Sequence, residues 1–372
     1  MAMWKDIERK VLAGERLTTE EGAFLLTQAD LLALGELAQE ARLRHNPQPY
    51  VTFLIDSNPN YTNICDTDCL FCAFYRKPGA ADGYWLTVDQ VMERVAHAVR
   101  RGATTVLLQG GHNPEIPLAY YLELVRETRR RFPEVTPHFF SASEIQAMAR
   151  YFNMSVREIL QALDVAGQYS LPGGGAEILS KRVRRRIAAK KGVPEDWLEV
   201  HREAHRLGWR STATMMYGHV ETPEDIVEHW NYIRDLQGET GGFTAFVPWS
   251  FKPTHTYLGK WVPAAAGPNP YLRMIAASRL YLDNFPHVQA SWFSEGKKTG
   301  QVALHFGADD FGGTLIEENV HAAAAYVNKT TTDETVEIIR ESGFVAARRN
   351  TLYEILEIYD QAPSKPDQEL RS

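Results

Sequence analysis

Through the first 46 residues apolar side chains recur at helical spacing. "LTTEEGAFLL" pairs Thr18 with Glu21 as a capping box ahead of an apolar run. "DLLALGELAQEARLRH" carries the same period until Pro47 and Pro49 break it. From residue 50 the pattern changes to short apolar runs separated by amphipathic stretches. The predicted strands are "VTFLI" (51–55), "TTVLLQ" (104–109), "HFFSA" (138–142), "AGQYSL" (166–171), "RSTATMM" (210–216), "TAFVPW" (244–249), "VQASWF" (288–293) and "QVALHF" (301–306). Helices between them have readable starts. Thr87 and Gln90 form a capping box before "VMERVAHAVRRG", with Gly102 as its stop. Thr222 precedes Pro223, Glu224 and Asp225, a helix start with proline at the first position.

Strands alternating with helices predict an α/β fold with a parallel sheet covered on both faces. Eight strands favour a (β/α)8 TIM-type barrel, although the gap between the last two is short. The organisation read from the pattern is an N-terminal helical extension (1–49), a barrel (50–325) and C-terminal helices with a tail (326–372). In the last part "TTDETVEIIRESGFVAARRNTLYEIL" reads as two helices and "QAPSKPDQELRS" as a frayed end.

Composition narrows the function classes. Hydrophobic residues make up 44% and charged residues 23% of 372 positions, as in globular proteins generally. A net charge of -7 gives no basic footprint for nucleic acid. No apolar run has the length of a membrane span, and the amphipathic N-terminus does not read as a secretory signal. The expected location is cytoplasmic. Three clustered cysteines are no disulfide framework.

Those cysteines carry the chemistry. Cys65, Cys69 and Cys72 follow the first strand in the spacing C-x3-C-x2-C, which puts them on the first βα loop, at the barrel face where active sites lie. Three thiols can ligate three irons of a [4Fe–4S] cubane and leave the fourth iron open, the mark of a catalytic metal. The rivals are three unligated cysteines and a zinc site completed by His112 or His138.

With Phe71 before the last cysteine, the spacing resembles the radical S-adenosylmethionine (SAM) superfamily. The resemblance implies that SAM chelates the open iron and is cleaved by one electron to give a 5′-deoxyadenosyl radical. The expected electron donor is a flavodoxin or ferredoxin. Gln109, Gly110 and Gly111 in "LLQGGHNP" then form the strand edge that meets the SAM amino group. Ser141 and Glu144 at the end of the third strand are candidates for its ribose or amine; their other reading is a helix-capping box. Arg182 is a candidate for a carboxylate of SAM or substrate.

"NYTNIC", "CAFYR", "LPGGGAEIL", "TATMMYGHVETPED", "GGFTAFVPWSF" and "GQVALHFGADDFGGTLIEENV" extend the resemblance over most of the chain. They are similar to the menaquinone futalosine-pathway enzymes, and most to the cyclic dehypoxanthinyl futalosine synthase family. Aminofutalosine synthases and the deazaflavin-chromophore enzymes are the neighbouring families. The implied reaction removes the C4′ hydrogen of dehypoxanthine futalosine, closes the sugar onto its benzoate ring, and loses an electron and a proton. "DSNPNYTN" departs from the family pattern at Ser57 and Pro59.

Read against that substrate, Gly173, Gly174 and Gly175 are candidates for close approach to it. His219, just past the fifth strand, is the candidate proton acceptor, while Glu221 accompanies the helix cap at Thr222. Asp309 and Glu317 are hydroxyl-binding candidates. The adjacent acids do not suit glycosidase chemistry, since neighbouring side chains diverge. Trp249 is a candidate wall for an aromatic ring, and the Arg184–Arg186 run reads as solvated surface.

Overall fold

Local signals set most helix boundaries. Thr18 accepts from the Glu21 backbone N–H at 3.3 Å, and the Glu21 carboxylate accepts from the Thr18 N–H at 2.8 Å. Thr87 and Gln90 repeat the exchange at 3.2 and 2.8 Å. Each pair satisfies donors that a helix start leaves unpartnered. The helix after Thr87, Val88–Val99, buries Val91, Met92, Val95 and Ala98, one stripe at helical spacing. In the computed structural model, which describes residues 2–360, the N-terminal extension is three helices: Ala2–Ala13, Thr19–Thr27 and Leu31–His45. The last packs on helix Pro268–Tyr281, outside the sheet.

The strands are β1 (Tyr50–Leu54), β2 (Asp56–Ser57), β3 (Thr105–Leu108), β4 (Thr136–Phe139), β5 (Ser170–Leu171) and β6 (Arg210–Tyr217). They continue with β7 (Phe243–Ser250), β8 (His287–Val288), β9 (Asp310–Gly313), β10 (Val345–Arg349) and β11 (Ile355–Tyr359). Strands β2 to β8 pair in sequence order, all parallel. Strand β1, continuous with β2, pairs with β9. A bridge between Gln289 and Asp310, with Ala290 N–H to Asp310 O at 2.7 Å, joins β8 to β9 and closes the wall. The result is the expected α/β parallel barrel with an outer layer of helices.

Two expectations fail. "QVALHF" (301–306) is not the last barrel strand; it begins inside helix Lys297–Ala303. That strand is "DFGG" (β9), whose aspartate and glycines have low strand propensity and which is held by pairing on both sides. The second C-terminal helix is also absent among the described residues. Helix Thr332–Glu341 ends before Gly343, at φ +80°, and the chain turns back as the β10–β11 hairpin. Alanine and arginine in "VAARR" favour helix locally, but the free edge of β1 supplies a parallel partner from Tyr50 to Phe53. The predicted frayed end (361–372) lies outside the described residues.

The hairpin reaches beneath the barrel. Arg349 is buried and pairs with Asp310. Its guanidinium lies 3.7 Å over the Tyr353 ring, which stacks on His287 at 3.8 Å. Thr351 Oγ1 is 2.7 Å from Thr105 Oγ1 at the start of β3. The C-terminal segment is therefore the barrel's floor.

Candidate active site

Alternation along the strands decides what faces the barrel interior. Thr105 and Leu107 on β3 and Gln109 just past it, Thr212 and Thr214 on β6, and Val247 and Trp249 on β7 all line one cavity of ≈ 340 Å³. That cavity makes the barrel a chamber, unlike barrels filled by layers of branched apolar side chains.

Cys65, Cys69, Cys72 and Phe71 line the upper end. The loop that carries them is pinned by backbone bonds: Cys65 N–H to Arg76 O at 2.8 Å and Leu70 N–H to Ile187 O at 2.9 Å. Gly111 lets this loop press against the end of β3, since a Cβ there would lie 2.1 Å from Ile64 O and 2.9 Å from Cys65 Cβ. Burial pushes the Cys69 and Cys72 thiols up from their ordinary range. Lys191 Nζ faces this region, 5.5 Å from the Phe71 ring centroid and 2.8 Å from a Glu177 oxygen. Burial works against the Lys191 charge, and the Glu177 carboxylate outweighs it, so its pKa rises.

Lys191 is held by an arginine that the sequence pattern assigns to solvent. Arg184 is 1% exposed and donates to the carbonyls of Gly175, Ala176, Lys191 and Gly192 at 2.8–3.0 Å. It ties the triple-glycine loop to the short turn Ala189–Lys191.

The other predicted residues divide clearly. Gln109, Gly110, Gly111, Ser141, Glu144, Gly173, Gly174, Gly175 and Trp249 all line the cavity. Glu144 also forms the capping box. It accepts from Ser141 N and Oγ at 2.7 and 2.6 Å, from Tyr61 Oη at 2.7 Å and from Gly110 N at 3.0 Å. Burial raises its pKa against those bonds. The glycines mostly accommodate protein: a Cβ on Gly173 would lie 2.5 Å from Thr212 O, and one on Gly174 2.3 Å from Gln109 Nε2.

His219, Arg182, Asp309 and Glu317 are not among the cavity residues. The His219 side chain is fully buried, with Nε2 3.1 Å from Met216 O and Nδ1 2.9 Å from Glu221. Arg182 pairs with Asp225 on the surface. Asp309 is enclosed by Arg279, His287 and Asn46 near the barrel floor, and Arg279 and His287 hold its pKa at about 2 against burial. Glu317 pairs with Arg94. A place past a strand was the signal for His219, a cationic helix start for Arg182 and paired carboxylates for Asp309 and Glu317; none of these says which way a side chain turns.

The interior also holds Asp56, Phe293 and His321, which the sequence did not single out, and the two histidines of the zinc alternative. Asp56 is 3% exposed and lines the cavity. Its Oδ1 accepts from Leu315 N at 2.8 Å. Burial pushes its carboxyl up to about 7, against that N–H and the Arg349 charge, while Asp310 adds to the rise. His112 and His138 are pulled down to about 3 by burial, so they are neutral. Thr67 and Ser143 hold His112, and Ser170 holds His138. His321 lies 5.3 Å from Phe293 and 5.6 Å from Trp249, and the three rings form an aromatic corner.

Residues 59–233 match the radical SAM superfamily, and residues 240–362 match the CofH/MqnC C-terminal region. The chain is 40% identical to a cyclic dehypoxanthine futalosine synthase of Halalkalibacterium halodurans, covering 95% of each chain. It is also 40% identical to an aminodeoxyfutalosine synthase of Thermus thermophilus, over 95% of this chain and 96% of that one. A 5-amino-6-(D-ribitylamino)uracil–L-tyrosine 4-hydroxyphenyl transferase of Methanopyrus kandleri is 42% identical over 87% and 88%.

The chain belongs to the radical SAM superfamily. It is an enzyme of that superfamily's CofH/MqnC branch. Among solved structures, methylornithine synthase superposes with a TM-score of 0.69 at 17% identity, over 91% of this chain and 96% of that one, a likeness of fold. Radical SAM enzymes bind a [4Fe–4S] cluster and SAM, and the residues here fit them. Two buried thiols, Cys65 and Cys69, and the half-buried Cys72 share one cavity wall, with the Lys191 cation beside Cys69. Among the described residues, no three His, Cys, Asp or Glu side chains converge on a single ion; a cubane would instead take the three thiols on three separate irons. His112, the possible fourth zinc ligand, has both ring nitrogens against hydroxyls.

Proposed function

We propose that this chain cyclises dehypoxanthine futalosine to cyclic dehypoxanthinyl futalosine in menaquinone biosynthesis, as a cytoplasmic enzyme. The observation that carries the reading is the 40% identity, from end to end, with the Halalkalibacterium protein of that name. The cluster and SAM, when bound, supply radical hydrogen abstraction. Cys65, Cys69 and Cys72 hold the cluster. Gln109, the Gly110–Gly111 edge, Ser141 with Glu144, and Lys191 hold SAM. The loop Gly173–Gly175 and the corner of Trp249, Phe293 and His321 receive the substrate, the corner taking its benzoate ring.

Ring closure ends with loss of a proton, and Asp56 replaces His219 as its acceptor. Asp56 lines the cavity and its carboxyl is pushed up to about 7 by burial, the range in which a general base works best. The barrel wall keeps solvent from the reacting atoms.

The test is anaerobic incubation of the reconstituted chain with dehypoxanthine futalosine, SAM and dithionite, followed by mass analysis. The cyclase releases free 5′-deoxyadenosine and a product lighter than its substrate by two hydrogens. The second reading is aminodeoxyfutalosine synthase, favoured by an equal identity with the Thermus protein. It predicts that the adenosyl group is built into the product.

A further inference from the structure

The cluster needs an electron from outside the chain, and one surface lies directly over its loop. Leu70 sits between Cys69 and Cys72. Its N–H bonds to Ile187 O at 2.9 Å, and its carbonyl accepts from Leu258 N–H at 2.8 Å. Two surface segments are thereby fastened to the peptide of the cluster loop. One carries Arg185, Arg186 and Lys190; the other carries Tyr257, Lys260 and Trp261.

These side chains form one continuous patch. The Arg186 guanidinium lies 5.0 Å over the Trp261 ring, and Lys260 Nζ lies 5.1 Å over Tyr257. Tyr257 and Trp261 are 58% and 53% exposed, which is rare for large aromatic residues. Arg185, Arg186 and Lys260 have no carboxylate partner among the described residues. Lys190 has one, Asp68, at 2.8 Å. Asp66, which faces Arg150 at 3.5 Å, is the other acid close by. The patch is thus basic on a chain whose net charge is -7. Exposed aromatics with arginine are the composition of a protein interface, and this one is joined to the loop that holds the redox centre.

We propose that the surface of Arg186, Lys190, Tyr257, Lys260 and Trp261 docks an acidic one-electron carrier protein that reduces the cluster. The inference rests on the radical SAM assignment, not on the substrate. One electron leaves a carrier such as flavodoxin hydroquinone and enters the cluster, and no bond forms or breaks in that step. Because the rest of the chain is acidic, local complementarity has to steer the encounter.

The experiment compares two reductants for the reconstituted holoenzyme: a flavodoxin kept reduced by its NADPH-dependent reductase, and dithionite. The readouts are the rate of cluster reduction followed by absorbance and the yield of 5′-deoxyadenosine from SAM. In the double variant Arg186→Glu with Lys260→Glu, the flavodoxin rate should fall about tenfold or more, within the range that steering produces, while the dithionite rate stays at the parent value. Arg186→Lys should restore most of the loss in a Lys260-intact background. The parental flavodoxin rate should also fall as salt rises, since screening shortens to about 8 Å at physiological ionic strength. An unchanged flavodoxin rate in the double variant overturns the proposal. An equal fall with both reductants also overturns it, because the residues then act by shaping the cluster loop. If dithionite gives no SAM cleavage in the parent chain, the enzyme reading fails instead.

Discussion

At the upper end of the cavity three thiols come from one stretch, Cys65 to Cys72, on a single loop. At the floor, Asp56, Thr105, Arg349, Thr351 and Tyr353 come from three segments, the last of them nearly 300 residues from the first. The upper end is thus a local device, set by spacing within one loop and closed by the contact of Gly111 with Ile64. The floor is a tertiary device and exists only when the β10–β11 hairpin pairs with β1. The difference suggests a division of labour. The loop supplies chemistry common to the superfamily, and the floor shapes the chamber below it.

The largest expected effect separates the two ends outright. Replacing any one of Cys65, Cys69 or Cys72 by alanine should abolish 5′-deoxyadenosine release, because no neighbouring side chain replaces the lost ligand. Chromatography of anaerobic reactions measures this. Turnover in any of the three variants would mean that the upper end is not the source of the chemistry.

Asp56→Asn tests the floor in turn. Deoxyadenosine release should persist, while cyclised product falls by about a hundredfold, the low end of what a positioned base contributes. In the parent chain, product formation should rise as pH passes through about 7, where the carboxyl ionises. Stability has the opposite sign. Asp56 is an acid whose folded pKa lies above its unfolded value, so the folded chain binds the extra proton between about 4 and 7. Its contribution is most favourable below that window and declines as pH rises through it. Denaturant midpoints across pH should show this decline in the parent and a shallower one in Asp56→Asn.

How much of this was legible follows from the same contrast. The cysteine loop, the capping boxes at Thr18 and Thr87 and the proline start at Pro223 are local signals, and each appears where the pattern puts it. β9 and β10 were hidden because their sequences disfavour strand, and pairing with β1 on one side and with Gln289 or β11 on the other holds them there. Asp56 was hidden for a different reason. An aspartate after an apolar run reads as a strand end, and nothing local tells that it turns inward against Gly313, where a Cβ would meet its carboxylate at 2.2 Å. Arg184 lay inside an arginine run, where charge alone could not distinguish the buried member from Arg185 and Arg186.

Arg349→Ala should sharpen the comparison by loosening the floor alone. It strips Asp310 of its buried ion-pair partner, a change that costs ~3–5 kcal/mol when one member of such a pair is lost. Thr52 Oγ1 at 2.6 Å and the Gly312 N–H at 2.8 Å still serve Asp310, so the lower end of that range is expected. Chemical denaturation measures it. Adding Asp310→Asn should recover part of the loss, since the uncompensated charge goes with it. Iron content after reconstitution should match the parent's if the two ends are independent; a parallel loss of iron would show that the floor holds the upper loop in place.

The smallest effect concerns His219, which its place past a barrel strand marks as a proton acceptor. The structure gives it another task. Its ring is sealed from solvent, with Nε2 against the Met216 carbonyl. Glu221 beside it accepts from the N–H groups of Gly218 and His219 at 2.5 and 2.9 Å. The pair thus shapes the turn from β6 into helix Pro223–Thr240. His219→Gln should therefore lower stability by ~1 kcal/mol, the worth of one buried hydrogen bond, and leave the ratio of cyclised product to deoxyadenosine at the parent value. The ratio is the informative quantity, because a merely less stable enzyme loses both products together. If it drops while the denaturation midpoint holds, the His219 ring reaches substrate during turnover, and proton transfer belongs to the rim of the barrel instead of to Asp56.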